Sequence, residues 1–353
     1  MSGKALRERV LDGLQAGRPV LGPQEVHIDV TNGCNARCIT CWDHSPLLDT
    51  PREAAWKRQR LAMEDFDALV DQLDAMGSVR HVILSGMGEP LTHPRIYDMI
   101  ARVKASGWSL TVLSNLVAAD ADRLLACPPD NLLVGVHGAS PEAYMAFHPG
   151  WTEAHFFTMA GLLRKLVRAG VKTRHVQVID RNTAPDVPAM VDLGRSLGAE
   201  RVNYKLASLA HGTEATAITE VQRRWLLDEA IPEARARATA QGVHTNLDLF
   251  ERQVRASVDT PLQTADMDNI GCAMGFVYTR IAVDGTLLYC CNTAVEVGHI
   301  QEGPFEAQWY GARWQGVRER IARKEWFAGC ERCGKHEQNV KWAERLRTRE
   351  ASP

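Results

Sequence analysis

Three cysteines share one short loop near the N-terminus: Cys34, Cys38 and Cys41, with the spacing CxxxCxxC. A cubane iron–sulfur cluster contains four irons, so three thiolates would hold three of them and leave the fourth open to another ligand. An open coordination position distinguishes a reactive metal centre from a structural one. The alternative is a zinc knuckle, in which the nearby His44 would supply the fourth ligand.

A glycine-rich turn, Ser85-Gly86-Met87-Gly88-Glu89-Pro90, follows the second predicted strand. Glycine lets backbone groups approach a ligand closely, and an acidic side chain there can accept a hydrogen bond from an ammonium group. Ser114 and Asn115 end the third predicted strand, where they would either contact ribose hydroxyls or cap a turn. Such turns are also common as purely structural connections. A role in binding is indicated here because the turn follows the cysteine loop by one strand.

The cysteine spacing resembles the cluster loop of the radical SAM superfamily. In that family the open iron is chelated by S-adenosylmethionine (SAM), and one electron from the cluster releases a 5′-deoxyadenosyl radical. The resemblance implies a SAM-binding [4Fe-4S] cluster on Cys34, Cys38 and Cys41. It also implies a flavodoxin- or ferredoxin-type protein as the reductant.

The same resemblance implies several contacts to SAM. Gly88, Glu89 and Pro90 match the family's GGEP motif, which binds the SAM amino group, with Met87 in place of the first glycine. Trp42 follows the third cysteine, whereas the family often has an aromatic residue just before it, and Trp42 is the candidate neighbour of the adenine. Three residues on later predicted strands are candidates for binding the SAM carboxylate: Arg174, Gln177 and Lys205.

A second set of cysteines follows much later in the chain: Cys272, Cys290, Cys330 and Cys333. A hairpin-like stretch from Phe276 to Tyr289, with Asp284-Gly285 as its turn, would bring the first two together. Four thiolates would ligate a second [4Fe-4S] cluster or a structural zinc ion. The pattern GxxxxC, from Gly285 to Cys290, resembles the SPASM/twitch auxiliary domain in its single-cluster twitch form.

Two residues are candidates for catalysis. Cys291 would exchange as a ligand, donate a hydrogen atom to a substrate radical as cysteines do in some radical epimerases, or remain a buried inert thiol. His137 ends the fourth predicted strand and would face the substrate or act as a hydrogen-bonded structural histidine. Many relatives have Ser and Asp where Gly135 and His137 stand. Cys127 is most simply a helix-end residue.

The composition is that of a globular protein with a large core. The 353 residues are 45% hydrophobic and 24% charged, with a formal net charge of −2. This balance gives no electrostatic reason to expect a nucleic-acid partner. We expect no membrane partner and a cytoplasmic location, because no apolar run reaches membrane-spanning length and no signal peptide is visible. The nine cysteines then indicate metal or redox chemistry rather than disulfides.

Strand and helix signals alternate from residue 24 to residue 207. The predicted strands are 24–31, 82–84, 110–114, 132–136, 171–179 and 202–206. Alternation of this kind predicts an α/β fold with a parallel sheet and right-handed crossovers. It fits the open, partial (β/α)6 barrel that radical SAM enzymes share, in which sites collect at the carboxyl ends of the strands.

We predict four regions: an N-terminal helical extension (1–23), the radical SAM barrel (24–217), a helical linker (218–270) and a SPASM/twitch auxiliary cluster domain (271–353). Residues 42–60 are either a substrate lid or a plain surface connection.

The predicted function is that of a radical SAM oxidoreductase. It would cleave SAM reductively and abstract a hydrogen atom from a peptide or natural-product substrate, with oxidation, epimerisation or cross-linking as the outcome. The alternative is a non-catalytic binding protein in which both cysteine sets hold zinc.

Overall fold

The computed structural model describes residues 3–256 and 266–350. The first residues of the predicted extension, residues 257–265 of the predicted linker and the last residues of the predicted auxiliary domain lie outside this description. The strands of the described chain are β1 (Glu25–Asp29), β2 (His81–Ser85), β3 (Ser109–Ser114), β4 (Asn131–Gly135), β5 (Thr173–Ile179), β6 (Arg201–Leu206), β7 (His244–Thr245), β8 (Tyr278–Ile281), β9 (Thr286–Leu288) and β10 (Glu296–His299).

Helices fill most of the remaining described chain. They are α1 (Gly3–Ala16), α2 (Ala54–Lys57), α3 (Met63–Met76), α4 (Ile96–Ala105), α5 (Ala121–Ala126), α6 (Pro141–Phe147), α7 (Glu153–Arg168), α8 (Val187–Ser196), α9 (Glu220–Trp225), α10 (Ile231–Gln241), α11 (Leu247–Ala256), α12 (Met267–Ile270), α13 (Met274–Val277), α14 (Phe305–Trp309), α15 (Ala312–Ala322) and α16 (His336–Glu350). A π-helical turn, Leu226–Ala230, joins α9 to α10.

The described strands form one sheet in the order β10-β9-β8-β1-β2-β3-β4-β5-β6-β7. Strands β1 to β6 are parallel neighbours in chain order, and helices pass between them. All of the strands predicted from the sequence are present, close to their predicted limits. The α/β class and the partial (β/α)6 barrel are therefore confirmed.

The predicted hairpin with its turn at Asp284-Gly285 forms from β8 and β9, which are antiparallel. Gly285 has a φ of +93°, a conformation that favours glycine, at the point where the chain reverses. Strand β8 also pairs in parallel with β1. The auxiliary region is thus continuous with the barrel through a shared sheet.

Residues 218–256, predicted as part of a linker, pack on the barrel instead. Strand β7 pairs with β6, and the Asn246 side chain accepts from Tyr204 N at 2.7 Å and donates to Tyr204 O at 2.9 Å. Leu247, Phe250 and Val254 of α11 join the same buried core as Tyr204. The physical reason is that β6 would otherwise present an unpaired edge.

The two faces of the barrel strands differ in polarity. On β1, Val26 and Ile28 are fully buried in the core that the sheet makes with the outer helices. The alternate residues Glu25, His27 and Asp29 therefore lie on the inner face of the barrel. The inner face of β1 is consequently polar, whereas its outer face is aliphatic.

The N-terminal helix α1 packs against α13 of the auxiliary region, through a small core that includes Val10 and Phe276. None of the helices in residues 3–256 and 266–350 combines the length and apolar character needed to span a bilayer.

Candidate active site

The loop that carries Cys34, Cys38 and Cys41 follows β1 at the carboxyl end of the sheet. Backbone N–H groups donate to two of the sulfurs, Ala36 N to Cys34 Sγ at 3.4 Å and His44 N to Cys41 Sγ at 3.3 Å. Burial raises the pKa of Cys34 to about 12 and that of Cys38 well above its ordinary value, and neighbouring thiols of the triad raise both further. Partly buried thiols that oppose one another's ionisation, with amides directed at their sulfurs, fit a cationic metal cluster.

The turn after β2 is joined directly to the start of this cysteine loop. Gly88 N donates to Thr31 O at 3.1 Å, and Glu89 N donates to Gly33 O at 2.8 Å. A Cβ on Gly88 would lie 2.0 Å from Gly33 O, so no larger residue fits there without moving the backbone. Pro90–Thr92 then forms a single 3₁₀ turn that begins immediately after Glu89. The two loops therefore form one rigid unit.

The Glu89 carboxylate ties the ends of β2 and β3 together. Its Oε1 accepts from Ser114 Oγ at 2.7 Å and from Leu91 N at 3.0 Å, and its Oε2 accepts from Asn115 N at 2.7 Å. Burial raises the pKa of Glu89, while these hydrogen bonds favour its ionised form. The Asn115 side chain donates to Asn35 Oδ1 at 2.8 Å, which extends the connection to the cysteine loop. The Glu89 and Ser114 side chains thus hold the glycine-rich turn after β2 against the end of β3.

Trp42 lies on the β6 side of the barrel mouth. Its Nε1 donates to Ser208 O at 2.7 Å, and its ring meets His211 edge-on at 6.1 Å between centroids. Asp49 N donates to His211 O at 2.9 Å. Residues 42–49, here called the strap, therefore connect the loop after β1 to the loop after β6.

His137 lies beyond the end of β4 in a left-handed conformation, with a φ of +51°. Its Nδ1 accepts from Val178 N at 3.1 Å, so the ring proton is on Nε2. The ring packs against Phe147 in a tilted arrangement, with 4.4 Å between the ring centroids, and a Cβ on Gly135 would lie 2.6 Å from Nε2. Burial lowers the pKa of His137 well below its ordinary value, which makes it a neutral hydrogen-bond donor.

The second set of thiols gathers five members rather than four. They are Cys272, Cys290, Cys291, Cys330 and Cys333, all free and all close enough to Cys291 for their charges to interact. Cys290 and Cys333 both hydrogen-bond to Cys291, which lowers its pKa, and burial raises the pKa of Cys272 to about 12. This partly buried set of sulfur donors fits a second iron–sulfur cluster. Cys127 lies apart from it, at the end of α5.

A buried ion pair joins the barrel to the auxiliary region on the inner face of the sheet. Arg280 of β8 donates from Nε and Nη2 to the two carboxylate oxygens of Asp29, at 2.8 and 3.1 Å. Arg280 Nη2 also contacts Met87 Sδ at 3.5 Å, in the glycine-rich turn. His27 lies beside this pair and contacts Ser85 Oγ at 2.6 Å. Burial lowers the pKa of His27 well below its ordinary value.

A second polar contact reaches the barrel from the segment after Cys333. Lys335 Nζ donates to Glu25 Oε1 at 2.6 Å, and His81 Nδ1 lies 3.0 Å from Glu25 Oε2. Burial acts to raise the pKa of Glu25, but the His81 hydrogen bond and the Lys335 charge outweigh it and hold this pKa at about 2. The carboxylate is therefore ionised at neutral pH.

These inner-face residues were not identified from the sequence. The available signal was alternation, because Glu25, His27 and Asp29 interrupt an otherwise apolar strand at every second position. Polar residues on the inner face of a buried strand indicate a chamber rather than a packed core.

Two family models match the chain. Residues 28–191 match the model described as the radical SAM superfamily, and residues 272–334 match SPASM, described as an iron–sulfur cluster-binding domain. The first region carries the triad and the glycine-rich turn. The second carries all five thiols of the other set.

Three known proteins illustrate the similarity. The AdoMet-dependent heme synthase of Methanosarcina barkeri is 22% identical over 82% of this chain and 83% of its own length. The PqqA peptide cyclase of Streptomyces rochei is 23% identical over 76% of this chain and 74% of its own. SuiB of Streptococcus suis, solved with SAM and also with its precursor peptide SuiA, has the same fold, with a TM-score of 0.64.

The SAM-bound SuiB structure is 16% identical and covers 89% of this chain, which covers 72% of SuiB. The similarity to SuiB shows a shared fold, whereas the family models match the sequence itself. Both results are consistent with the two thiol sets described above. The chain therefore contains a radical SAM domain in residues 28–191 and a SPASM domain in residues 272–334, with SAM and iron–sulfur clusters as its cofactors.

Proposed function

We propose that the protein cleaves SAM reductively and abstracts a hydrogen atom from a peptide or natural-product substrate. The outcome would be oxidation, epimerisation or cross-linking. The supporting observation is the polar inner face of β1, with the cysteine triad in the loop that follows this strand and Cys291 near its His27. Cys291 is close enough to His27, Arg280 and Lys205, on three different strands, for their charges to interact.

In this proposal, Cys34, Cys38 and Cys41 hold the SAM-binding [4Fe-4S] cluster. When bound, the reduced cluster supplies the electron that splits SAM into methionine and a 5′-deoxyadenosyl radical. The electron would come from a flavodoxin- or ferredoxin-type protein in the cytoplasm. The strap would exclude water from its side of the mouth.

The remaining candidate residues position SAM. Gly88 lets the backbone of the turn approach the cysteine loop, and the backbone carbonyls of this turn would then accept from the SAM ammonium group. Glu89 and Ser114 would hold the glycine-rich turn against the end of β3, and Pro90 would begin the 3₁₀ turn that follows. Asn115 would lie near the ribose of SAM. Trp42, held by Ser208, would border the mouth near the adenine.

On the other side of the chamber, Cys272, Cys290, Cys330 and Cys333 would hold the auxiliary [4Fe-4S] cluster. Cys291 is then the thiol left for the substrate, either as a hydrogen-atom donor or as an exchangeable ligand. The neutral His137 would present its Nε2–H to the bound molecules near β4.

The comparisons favour a peptide among the possible substrates. One relative is a peptide cyclase, and SuiB has been solved with its precursor peptide. A heme synthase among the relatives keeps small natural products as the second candidate.

The experiment begins with anaerobically purified protein that has been analysed for iron and sulfide. Reduced protein and SAM are incubated with synthetic peptides from short reading frames next to the gene. We expect 5′-deoxyadenosine release to rise with the true substrate, together with a mass loss for oxidation or cross-linking, or solvent deuterium uptake for epimerisation. Zinc in place of iron, or absence of 5′-deoxyadenosine under every condition, would contradict the proposal.

A further inference from the structure

Lys205 differs from the other charged side chains on the inner face of the sheet. On β6, Val202 and Tyr204 point outward into the core with α8, α10 and α11, so strand alternation directs Lys205 inward. Its side chain is solvent-accessible, yet burial by the surrounding protein lowers the pKa of its ammonium group. A side chain that projects into a concave chamber can be accessible to solvent and still be surrounded by protein atoms. Leu113, on the inner face of β3, is likewise 37% exposed.

The two acidic side chains on the inner face of β1 are each paired with a cation. Asp29 pairs with Arg280, and Glu25 pairs with Lys335. The Lys205 side chain makes no hydrogen bond or ion pair with any residue in the described part of the chain. The chamber wall therefore carries an uncompensated positive charge, and partial burial makes an anion the favoured neighbour of that charge.

We propose that Lys205 binds a carboxylate group of the substrate. The substrate of this enzyme is then an acid, for example a peptide that presents a glutamate or aspartate side chain to the chamber. This inference rests on the proposed function, because it names the class of molecule that enters the same chamber. An ammonium–carboxylate hydrogen bond is among the stronger ones in proteins, and it also fixes the orientation of the bound group.

The geometry separates Lys205 from the two other candidates for binding the carboxylate of SAM itself. Gln177 Oε1 accepts from Gly138 N at 3.1 Å, and Arg174 pairs with Glu200 at 3.5 Å.

The test uses cluster-loaded, full-length protein with SAM and two ligands of nearly equal shape, N-acetylglutamate and N-acetylglutamine. Binding is measured by anaerobic calorimetry, and the labelling of Lys205 by an amine-acylating reagent is measured by peptide mass spectrometry. We expect N-acetylglutamate to bind at least about tenfold more tightly and to protect Lys205 from labelling. Lys205→Met should abolish this preference, and Lys205→Arg should keep most of it.

The matched control is Lys172→Met, because Lys172 is an exposed lysine near the start of β5. It should leave the ligand preference unchanged. If Lys205→Met fails to load iron, Lys205→Gln and the labelling of the native protein decide the question.

Equal binding of the two ligands, or equal protection by both, would overturn the inference. A SAM dissociation constant raised tenfold in Lys205→Met would also overturn it, by assigning Lys205 to the SAM carboxylate. Because these measurements need no turnover, they are independent of the 5′-deoxyadenosine assay on which the proposed function depends.

Discussion

Arg280 and Asp29 form a bidentate ion pair inside the protein, with Asp29 only 1% exposed and nitrogen–oxygen distances of 2.8 and 3.1 Å. The pair joins β8 of the auxiliary region to β1 of the barrel. Removing one partner of a buried pair leaves the other as an uncompensated charge.

We predict that Arg280→Met destabilises the protein by about 3–5 kcal/mol, because the Asp29 carboxylate would remain buried without its counter-ion. Denaturant unfolding of cluster-loaded protein, followed by circular dichroism, measures the change. The control is Arg313→Ala, since Arg313 pairs with Glu302 on the surface and should contribute less than about 1 kcal/mol. Similar losses for both variants would show that the buried pair has no special importance.

Gly88→Ala should separate the glycine-rich turn from the cysteine loop, because the new Cβ would lie 2.0 Å from Gly33 O. We expect SAM affinity to fall by more than about tenfold, a change of 1.4 kcal/mol or more, measured by anaerobic equilibrium dialysis. Gly161→Ala is the control, since a Cβ there meets nothing within 4 Å. An unchanged SAM dissociation constant in Gly88→Ala would refute the proposed role of this contact.

Glu89→Gln tests the tie between β2 and β3. Glutamine keeps the shape of the side chain but turns one acceptor into a donor, facing either Ser114 Oγ or Asn115 N. Because charged hydrogen bonds contribute about 1.5–3 kcal/mol, we expect SAM affinity to fall about ten- to a hundredfold. The exposed Glu64→Gln should have no effect. Wild-type affinity in the Glu89 variant would mean that the backbone alone shapes the pocket.

Cys38→Ala should abolish 5′-deoxyadenosine formation, because two thiolates cannot hold the open cluster, and should reduce iron from about eight to about four atoms per chain. Cys333→Ala should spare part of SAM cleavage while impairing substrate turnover. Cys127→Ala, at the end of α5, is the thiol control and should retain all the iron. Full SAM cleavage by Cys38→Ala would exclude the triad as the SAM-binding site.

Acid stability should depend on His175, which is fully buried behind β5 and has no hydrogen-bond partner among the described residues for either ring nitrogen. Burial lowers its pKa from 6.5 to about 4. The unfolded chain therefore binds the proton more readily, so this contribution to stability is complete above pH 6.5 and is lost as the pH falls toward 4. Between pH 8 and pH 5 the loss is about 2 kcal/mol.

The corresponding measurement compares wild type with His175→Leu by denaturant unfolding at several values between pH 5 and pH 8. We expect a flatter pH dependence in the variant. If the free energy of unfolding depended on pH equally in both proteins, protonation of His175 would not be the cause of the acid destabilisation.

Much of this architecture follows from local sequence signals. The strands β1 to β6 and the hairpin turn at Gly285 could be predicted because each is encoded in a few adjacent residues. Strand β7 was missed because His244–Thr245 is too short to show a pattern.

The contacts that shape the chamber could not be predicted in the same way. Glu25 and Lys335 are 310 residues apart in the sequence, and nothing in either neighbourhood indicates the other. The position of Trp42 likewise depends on Ser208, which belongs to the loop after β6. Such pairings arise only when the sheet brings distant segments together.

The pairing of β8 with β1 has a consequence for the reaction. Successive residues of the two strands are hydrogen-bonded neighbours, from Glu25 with Tyr278 to Ile28 with Ile281. A continuous ladder of this kind resists hinge motion between the barrel and the auxiliary region. In the proposed function, the distance between the two clusters would then stay fixed, and an extended peptide would span it more readily than a bulky folded partner.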